Sequence, residues 1–504
     1  SRRVESPRSP SSRRIAFFLL ALLAGIPTAI AQGPGDAPEP DRPTLHVVAT
    51  SHLDTQWRWT IRDTIERFVP ATMRQNFAHF ERYPGYVFSF EGAFRYSLMK
   101  EYYPKEWERV KEYVRAGRWR VAGSWWDAVD THVPSPESLI RQTLHGNGFF
   151  RRELGTTSRD VFLPDCFGFG YALPAAAAHS GLLGFTTQKL TWGSAYGTPF
   201  PVGLWEGVDG SRLVASLNPG NYVARIESDL SSDPAVVEAV ERQRALSGIP
   251  IAMRFFGVGD QGGGPDAESV ERLEKAIAAT GPVEVRSAGA DDLARHLAAR
   301  LREPDPPKLP LYRGELPMTA HGAGCYTSQA AMKRWNRRNE RLADAAERAA
   351  VAAGWLGAGP YPRETLAGAW KRFLWHQFHD DLTGTSVPEA YTHSWDDELI
   401  SLSEFAGALG DAVGGVSTGL DTRARGVPVV VHNALSIPRE DVVEADLVFE
   451  GTAPPAVRVL GPDGKETPAQ VVRASGSSAR VVFLASVPPL GFSVFDFRPA
   501  AAAP

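Results

Sequence analysis

The sequence predicts a multidomain α/β + α + β chain: an N-terminal (β/α) barrel-like domain, a three-helix bundle, and the start of a β-sandwich. Three observations carry that prediction. From residue 45 to about residue 300, short apolar runs (45–49, 86–89, 118–122, 161–163, 252–258) alternate with charged segments of helical spacing (98–116, 136–153, 233–247, 267–279). Such alternation builds a mostly parallel sheet, open or closed into a barrel, with chemistry at the C-terminal ends of its strands. Beyond Arg313, segments 329–356, 364–379 and 388–413 place Ala, Leu and Trp on one helical face, as packed helices require. From Gly426 the pattern turns to strands, with VPVVVHN and later ARVVFLASV separated by turn residues.

These shifts place the barrel-like domain at 44–312, the bundle at 313–420 and the sandwich, expected to be incomplete, at 426–504. Two segments precede them. Arg13 and Arg14, an apolar run over 15–25 and the small-residue site Ala29-Ile30-Ala31 read as a signal peptide over 1–31. The expectation is export to a periplasmic or extracellular space, with no membrane contact once the signal is removed. Residues 32–43, rich in Gly, Pro and Asp, read as a disordered leader. A net charge of −4 over 504 residues gives no electrostatic footprint for nucleic acid. Thirteen tryptophans supply aromatic surfaces for core packing or for sugar rings. Only Cys166 and Cys325 are present, so disulfides do not staple the fold.

Chemistry concentrates at three strand ends. The run 45–49 leads into His52 and Asp54, whose side chains share a side if the extended backbone persists; Trp57 follows. The run 161–163 leads through Pro164 to Asp165, with Gly168 and Gly170 allowing a close turn. The run 252–258 leads into GVGDQGGGP, which presents Asp260 among five glycines but lacks the Lys-Ser/Thr ending of a nucleotide loop. Any one of these acids alone is an ordinary turn former or helix cap. The second bundle segment ends in WHQFHDD, with His376 and His379 at i and i+3, the spacing of a shared helix face. Cys166 reads as buried packing, and a Cys166–Cys325 disulfide stays open for an exported chain.

Taken together, His52-Leu53-Asp54 with Trp57, LPDCFGFGYALP with TTQKLTW, GVGDQGGGP, CYTSQA with KRWNRRNE, and FHDDLTGTS resemble the α-mannosidases of glycoside hydrolase family 38. The resemblance runs from about residue 45 to 439 and implies a catalytic barrel-like domain. It also implies one divalent metal, usually zinc, held by His52, Asp54, Asp165 and His379. Asp165 would double as catalytic nucleophile and Asp260 would be the acid/base. Trp57 would stack on the sugar, Lys189 and Asp380 would contact its hydroxyls, and Trp126 and Asp130 would meet substrate. The implied activity is retaining hydrolysis of terminal α-mannosides, which needs one ionised and one protonated carboxyl. In the segment GSWWDAVD, Ala128 stands where bacterial relatives carry an acid. The competing expectations are a metal-dependent polysaccharide deacetylase, which would act through an activated water, and a non-catalytic glycan-binding relative.

Overall fold

The computed structural model describes residues 42–502. The signal peptide and nearly all of the leader expected from the sequence lie outside these residues. The central strand is β1 (Thr44–Ser51), buried along its whole length. Its flanking neighbours explain why a run of Val, Ala and Leu is needed there, because a strand in a parallel sheet covered on both faces has no wet side. β9 (Ile251–Val258) pairs with β1 from end to end. β10 (Glu284–Ser287) and β2 (Phe88–Glu91) share its other edge, the first along Thr44–Val47 and the second at Ala49 and Thr50. β3 (Trp119–Ala122) completes this sheet beside β2, and all pairings are parallel.

A second sheet runs in the order β11 (Leu311–Arg313), β7 (Val202–Glu206), β8 (Arg212–Ser216), β6 (Gly184–Thr186), β4 (Asp160–Phe162). It is parallel except for the β7–β8 hairpin. The short β5 (Gly168–Phe169) and β12 (Leu316–Pro317) form a separate antiparallel pair. The two large sheets touch at two places, one beside the edge strands β3 and β4 and one where β9 passes the loop after β8, an interior strand of the second sheet. The Ser124 N–H donates to the Asp160 carbonyl at 3.0 Å, and the Phe255 N–H donates to the Pro219 carbonyl at 2.7 Å. The expected barrel is therefore barrel-like without a continuous closing ladder. Val48, Ala122, Phe162, Val214 and Phe255 fill the space between the sheets.

Helices cover the outside, and local sequence sets their ends. Pro136–Leu154 begins where the Ser135 side chain accepts from the Ser138 N–H, carries Pro at its first position, and stops at left-handed Gly155. The bundle consists of Ala330–Trp355, Arg363–Trp375 and Pro388–Thr418, close to the predicted segments. By length and composition Pro388–Ser417 is apolar enough to cross a membrane, at mean hydropathy 1.2. Here it is the third bundle helix, with Tyr391, Ser394, Glu398 and Phe405 buried. The second helix ends at Trp375, earlier than the sequence suggested, so His376 and His379 lie in the turns that follow it and not on one helix face.

The last part forms two antiparallel sheets. One contains β13 (Val427–His432), β19 (Phe492–Ala500), β15 (Ala456–Leu460) and β16 (Glu466–Thr467). The other contains β14 (Arg439–Val448), β18 (Ser478–Val487) and β17 (Ala469–Ser475). Val459, Val481, Phe483, Phe495 and Phe497 pack between them, as a sandwich requires.

One glycine shows how tightly β9 is laid against β1. Gly257 has φ of +151°, and a Cβ there would stand 1.8 Å from the Thr50 carbonyl oxygen. Gly257→Ala is expected to lower stability by about 1–3 kcal/mol through this forced backbone shift, read as a lower melting temperature in thermal unfolding.

Candidate active site

The first strand ends at Ser51, but the chain stays extended, and β9 keeps running beside it. The His52 N–H donates to the Val258 carbonyl at 2.9 Å and the Asp54 N–H donates to the Asp260 carbonyl at 2.7 Å. The Gly262 N–H returns to the His52 carbonyl at 3.1 Å. Adjacent parallel strands thus carry His52, Asp54 and Asp260 to one place. Asp260 itself has φ of +65°, a left-handed conformation uncommon outside glycine and tolerated best by Asn and Asp.

His379 arrives from the bundle. The Asp130 N–H donates to the Gln377 carbonyl, and the His379 N–H to the Ala128 carbonyl, so the FHDD turn docks on the segment after β3. Gln56 Nε2 donates to Asp381 Oδ1 at 2.9 Å, tying the same turn to the end of β1. His376 points away from His379 and bridges Asp381 and Asp397, which fixes the turn from behind.

Three atoms face one another: His52 Nε2, Asp54 Oδ1 and His379 Nε2, mutually within 4.8 Å. The separations from Asp54 Oδ1 are 3.0 Å to His52 and 3.5 Å to His379. All three are fully buried, and none has a hydrogen-bond partner. Asp165 Oδ2 lies 3.8 Å from His379 Nε2, which completes the four residues expected from the sequence. Both imidazoles are held by their other nitrogen. His52 Nδ1 meets Glu91 Oε1 at 2.5 Å, and His379 Nδ1 meets the Ala128 carbonyl at 2.8 Å. Such outer partners leave Nε2 as the free lone pair, as in metal-binding histidines. A cluster of two imidazoles and carboxylates with unpartnered atoms turned inward fits a divalent cation.

The charges agree. Burial opposes a charge on His52, but Glu91 and then Asp54 outweigh it and push its pKa up to about 10. His379 is raised well above its ordinary value against burial, by Cys166 and then Asp54 and Asp380. Burial would raise Asp54, yet His52 and His379 hold it far below the usual carboxylate range. Burial and the Asp54 charge lift Asp380 to about 7. The cluster therefore demands positive charge, which protons supply when no cation is bound.

The other expected residues fall into three groups. Lys189 and Asp380 are in the site. Lys189 Nζ lies 2.6 Å from Asp165 Oδ1 and about 5 Å from the Phe167 and Trp192 rings. Asp380 accepts from the Thr385 hydroxyl, with its other oxygen 3.9 Å from His379 Nε2. Trp57 is half-buried, with the Arg58 guanidinium 4.1 Å over its ring. Trp126, expected to meet substrate, lies in the core against Phe94 and Phe149 and donates Nε1–H to the Lys371 carbonyl. Asp130 is likewise a turn residue, accepting from the backbone of His132 and Val133 and from Tyr326. Cys166 and Cys325 are both free thiols, and burial raises each to about 11.

Sequence reasoning missed two residues. Glu91 is a carboxylate at the end of β2, the same signal that singled out Asp165. Tyr222, in the loop after β8, places one hydroxyl 3.2 Å from Asp165 Oδ1 and 3.0 Å from Asp260 Oδ1, with a single proton to donate to either. Burial and those two carboxylates push its hydroxyl far above the ordinary range, so it stays protonated.

Comparison with known proteins places this architecture. An α-mannosidase structure from Enterococcus faecalis superposes with TM-score 0.72 over 91% of this chain and 56% of its own, at 19% identity, which defines a shared fold. The glycosyl hydrolases family 38 N-terminal domain matches residues 42–315, and the alpha mannosidase middle domain matches residues 321–403. The chain belongs to glycosyl hydrolase family 38. Alpha-mannosidase G of Dictyostelium discoideum is 32% identical over 68% of this chain and 30% of its own length. Human alpha-mannosidase 2C1 is 30% identical over 68% of this chain and 32% of its own. The chain thus spans about a third of the length of these curated relatives.

The raised histidines give a pH signature. His52 folds with a pKa of about 10 against 6.5 unfolded, so its contribution is full below pH 6.5 and is lost as pH rises through 10. His376, raised to about 9 by Asp381 and Asp397 against burial, acts with the same sign. The melting temperature of cation-free protein is expected to fall between pH 7 and 10. A bound divalent cation should leave only the shallower slope from His376, measured by calorimetry with and without chelator.

Proposed function

We propose that the chain carries the catalytic part of an exported, zinc-dependent retaining α-mannosidase that removes terminal α-linked mannose from glycans or mannosides. The observation that carries this reading is the convergence of the unpartnered His52, Asp54 and His379 atoms with Asp165, beside Asp260. Family membership and the names of the matched relatives support mannosides as the substrate class. The residue set of two imidazoles and two carboxylates favours zinc. The basic, apolar and small-residue pattern of residues 1–31 supports export.

His52, Asp54, Asp165 and His379 would hold the cation, which when bound supplies positive charge and open positions for sugar hydroxyls. The chain's own residues do the rest. Asp165 has two differently occupied oxygens: Oδ2 faces His379, whereas Oδ1 is fixed by Lys189 and Tyr222. That pins the carboxylate for attack on the anomeric carbon, forming a mannosyl–aspartate ester as the bond to the leaving oxygen breaks. Asp260 gives its proton to that oxygen, then takes one from the water that cleaves the ester. A phenol has one proton to donate, so Tyr222 touching two carboxyl groups suits one ionised and one protonated acid. Because one hydroxyl reaches both, these two carboxyl oxygens lie no more than about 6 Å apart, close enough for the two acids to serve one glycosidic bond. Asp380 and Trp57 border the place where the sugar would sit.

Asp165→Asn should abolish turnover of every mannoside. Asp260→Asn should cost about 10²–10⁴ in kcat/KM on mannobioses but far less on aryl mannosides with good leaving groups. Steady-state kinetics on both substrate kinds checks this; equal losses would remove Asp260 from the acid role. Hydrolysis of a panel of α-mannobioses should stop with chelator and return with zinc. Release of acetate from an acetylated glycan, with no mannose from any mannoside, would contradict the reading.

A further inference from the structure

Behind the cluster lies a second set of charges that no part of the proposed reaction uses. Arg95, on the helix Ala93–Tyr102, is completely buried. Its Nη1 donates to the Glu91 carbonyl at 3.3 Å, and its Nη2 lies 3.1 Å from Asp127 Oδ1. Glu91 and Asp127 are themselves buried. The Glu91 carboxylate ends on His52 Nδ1. Asp127 Oδ1 also accepts from the Ala128 N–H at 2.7 Å, and the carbonyl of that same Ala128 receives His379 Nδ1 at 2.8 Å. Asp127 Oδ2 accepts from the hydroxyl of Thr55, the residue after Asp54, at 2.8 Å. The backbone is shaped for this arginine: Gly92 has φ of +78°, and a Cβ there would stand 2.2 Å from Arg95 Nη1. The Arg95 guanidinium also lies 5.5 Å from the ring of Phe378, the residue before His379.

We propose that Glu91, Arg95 and Asp127 are positioning residues for cation binding: one buried guanidinium and two carboxylates aim both histidines, so affinity is set by side chains that never touch the ion. This inference rests on the reading of His52, Asp54, Asp165 and His379 as a cation site. Its physical basis is twofold. A fully buried guanidinium with two carboxylates costs too much desolvation to be explained by stability alone, since an apolar replacement is often as stable. The two histidines come from segments far apart in the chain, the end of β1 and the turn after the second bundle helix, whose docking contacts include the Gln56–Asp381 hydrogen bond. Without a common reference, their Nε2 atoms would not hold a fixed separation. Beside the Gln56–Asp381 tie, Arg95 supplies a reference for the ring orientations, because both outer contacts lead back to it within two or three groups.

The test compares the full chain with Glu91→Gln, Asp127→Asn and His52→Ala. Zinc dissociation constants come from competition with a chromophoric chelator, the visible d–d spectrum from the cobalt-loaded protein, and melting temperatures from the metal-free forms. Glu91→Gln and Asp127→Asn should each bind one zinc about 10- to 100-fold more weakly and should change the cobalt spectrum, as loss of an outer-shell partner does. Should Asp127→Asn fail to fold, Thr55→Val, which removes only the hydroxyl on Asp127 Oδ2, should weaken zinc in the same direction. A lower melting temperature with zinc affinity kept within about threefold of the parent would overturn the proposal, leaving the network a packing feature. If the parent chain binds no zinc, or His52→Ala binds it equally well, the cation site itself fails, and the outer network fails with it.

Discussion

Three buried polar atoms with no partner outside their own cluster, His52 Nε2, Asp54 Oδ1 and His379 Nε2, set the main constraint on this molecule. Leaving a buried polar group unpaired costs on the order of 1–3 kcal/mol each, more where charge is involved. A fold does not gather three of them by accident of packing. They are tolerated because the surroundings are built to hold them: Glu91 and the Ala128 carbonyl fix the rings from outside, and the Gln56–Asp381 contact fixes the turn that delivers His379. The docking of the bundle on the α/β part is thus part of the site, since neither contributes enough ligands alone.

The same economy of position explains the acids. β1 and β9 are neighbours in one parallel sheet, and their extensions stay hydrogen-bonded past the end of the strands. Asp54 and Asp260 therefore keep a fixed spacing whatever the surface loops do. Asp165 comes from the other sheet, at the end of β4, and meets them across the seam where the two sheets approach. Tyr222 and Lys189 then divide its oxygens, one toward the cluster and one toward the acid. A left-handed aspartate at 260 is the local strain that this placement accepts.

Much of this was legible in the sequence, for identifiable reasons. His52 and Asp54 could be paired from period-two geometry, and Asp165 and Asp260 from acids following short apolar runs. The bundle helices were visible in their spacing. What failed were features that depend on contacts distant in sequence. His376 and His379 look like one helix face, but the helix stops at Trp375, so only one of them enters the site. Trp126, expected to meet substrate, sits in the core with its indole N–H donated to the Lys371 carbonyl. Glu91 carries the same strand-end signal as Asp165, but the apolar run read from the sequence, 86–89, stops short of it, whereas β2 extends to Glu91. Arg95 and Tyr222 have no local signature at all; their roles exist only once remote chain segments surround them. Closure of the sheets was likewise beyond strand periodicity, which is the same for an open sheet and a barrel.

Anomalous diffraction at the zinc absorption edge, from crystals of this chain soaked with the metal, tests the central claim most directly. The expected result is a single strong peak at bonding distance, about 2.0–2.2 Å, from His52 Nε2, His379 Nε2 and oxygens of Asp54 and Asp165. A peak elsewhere in the molecule, or one that His379 does not reach, would contradict it.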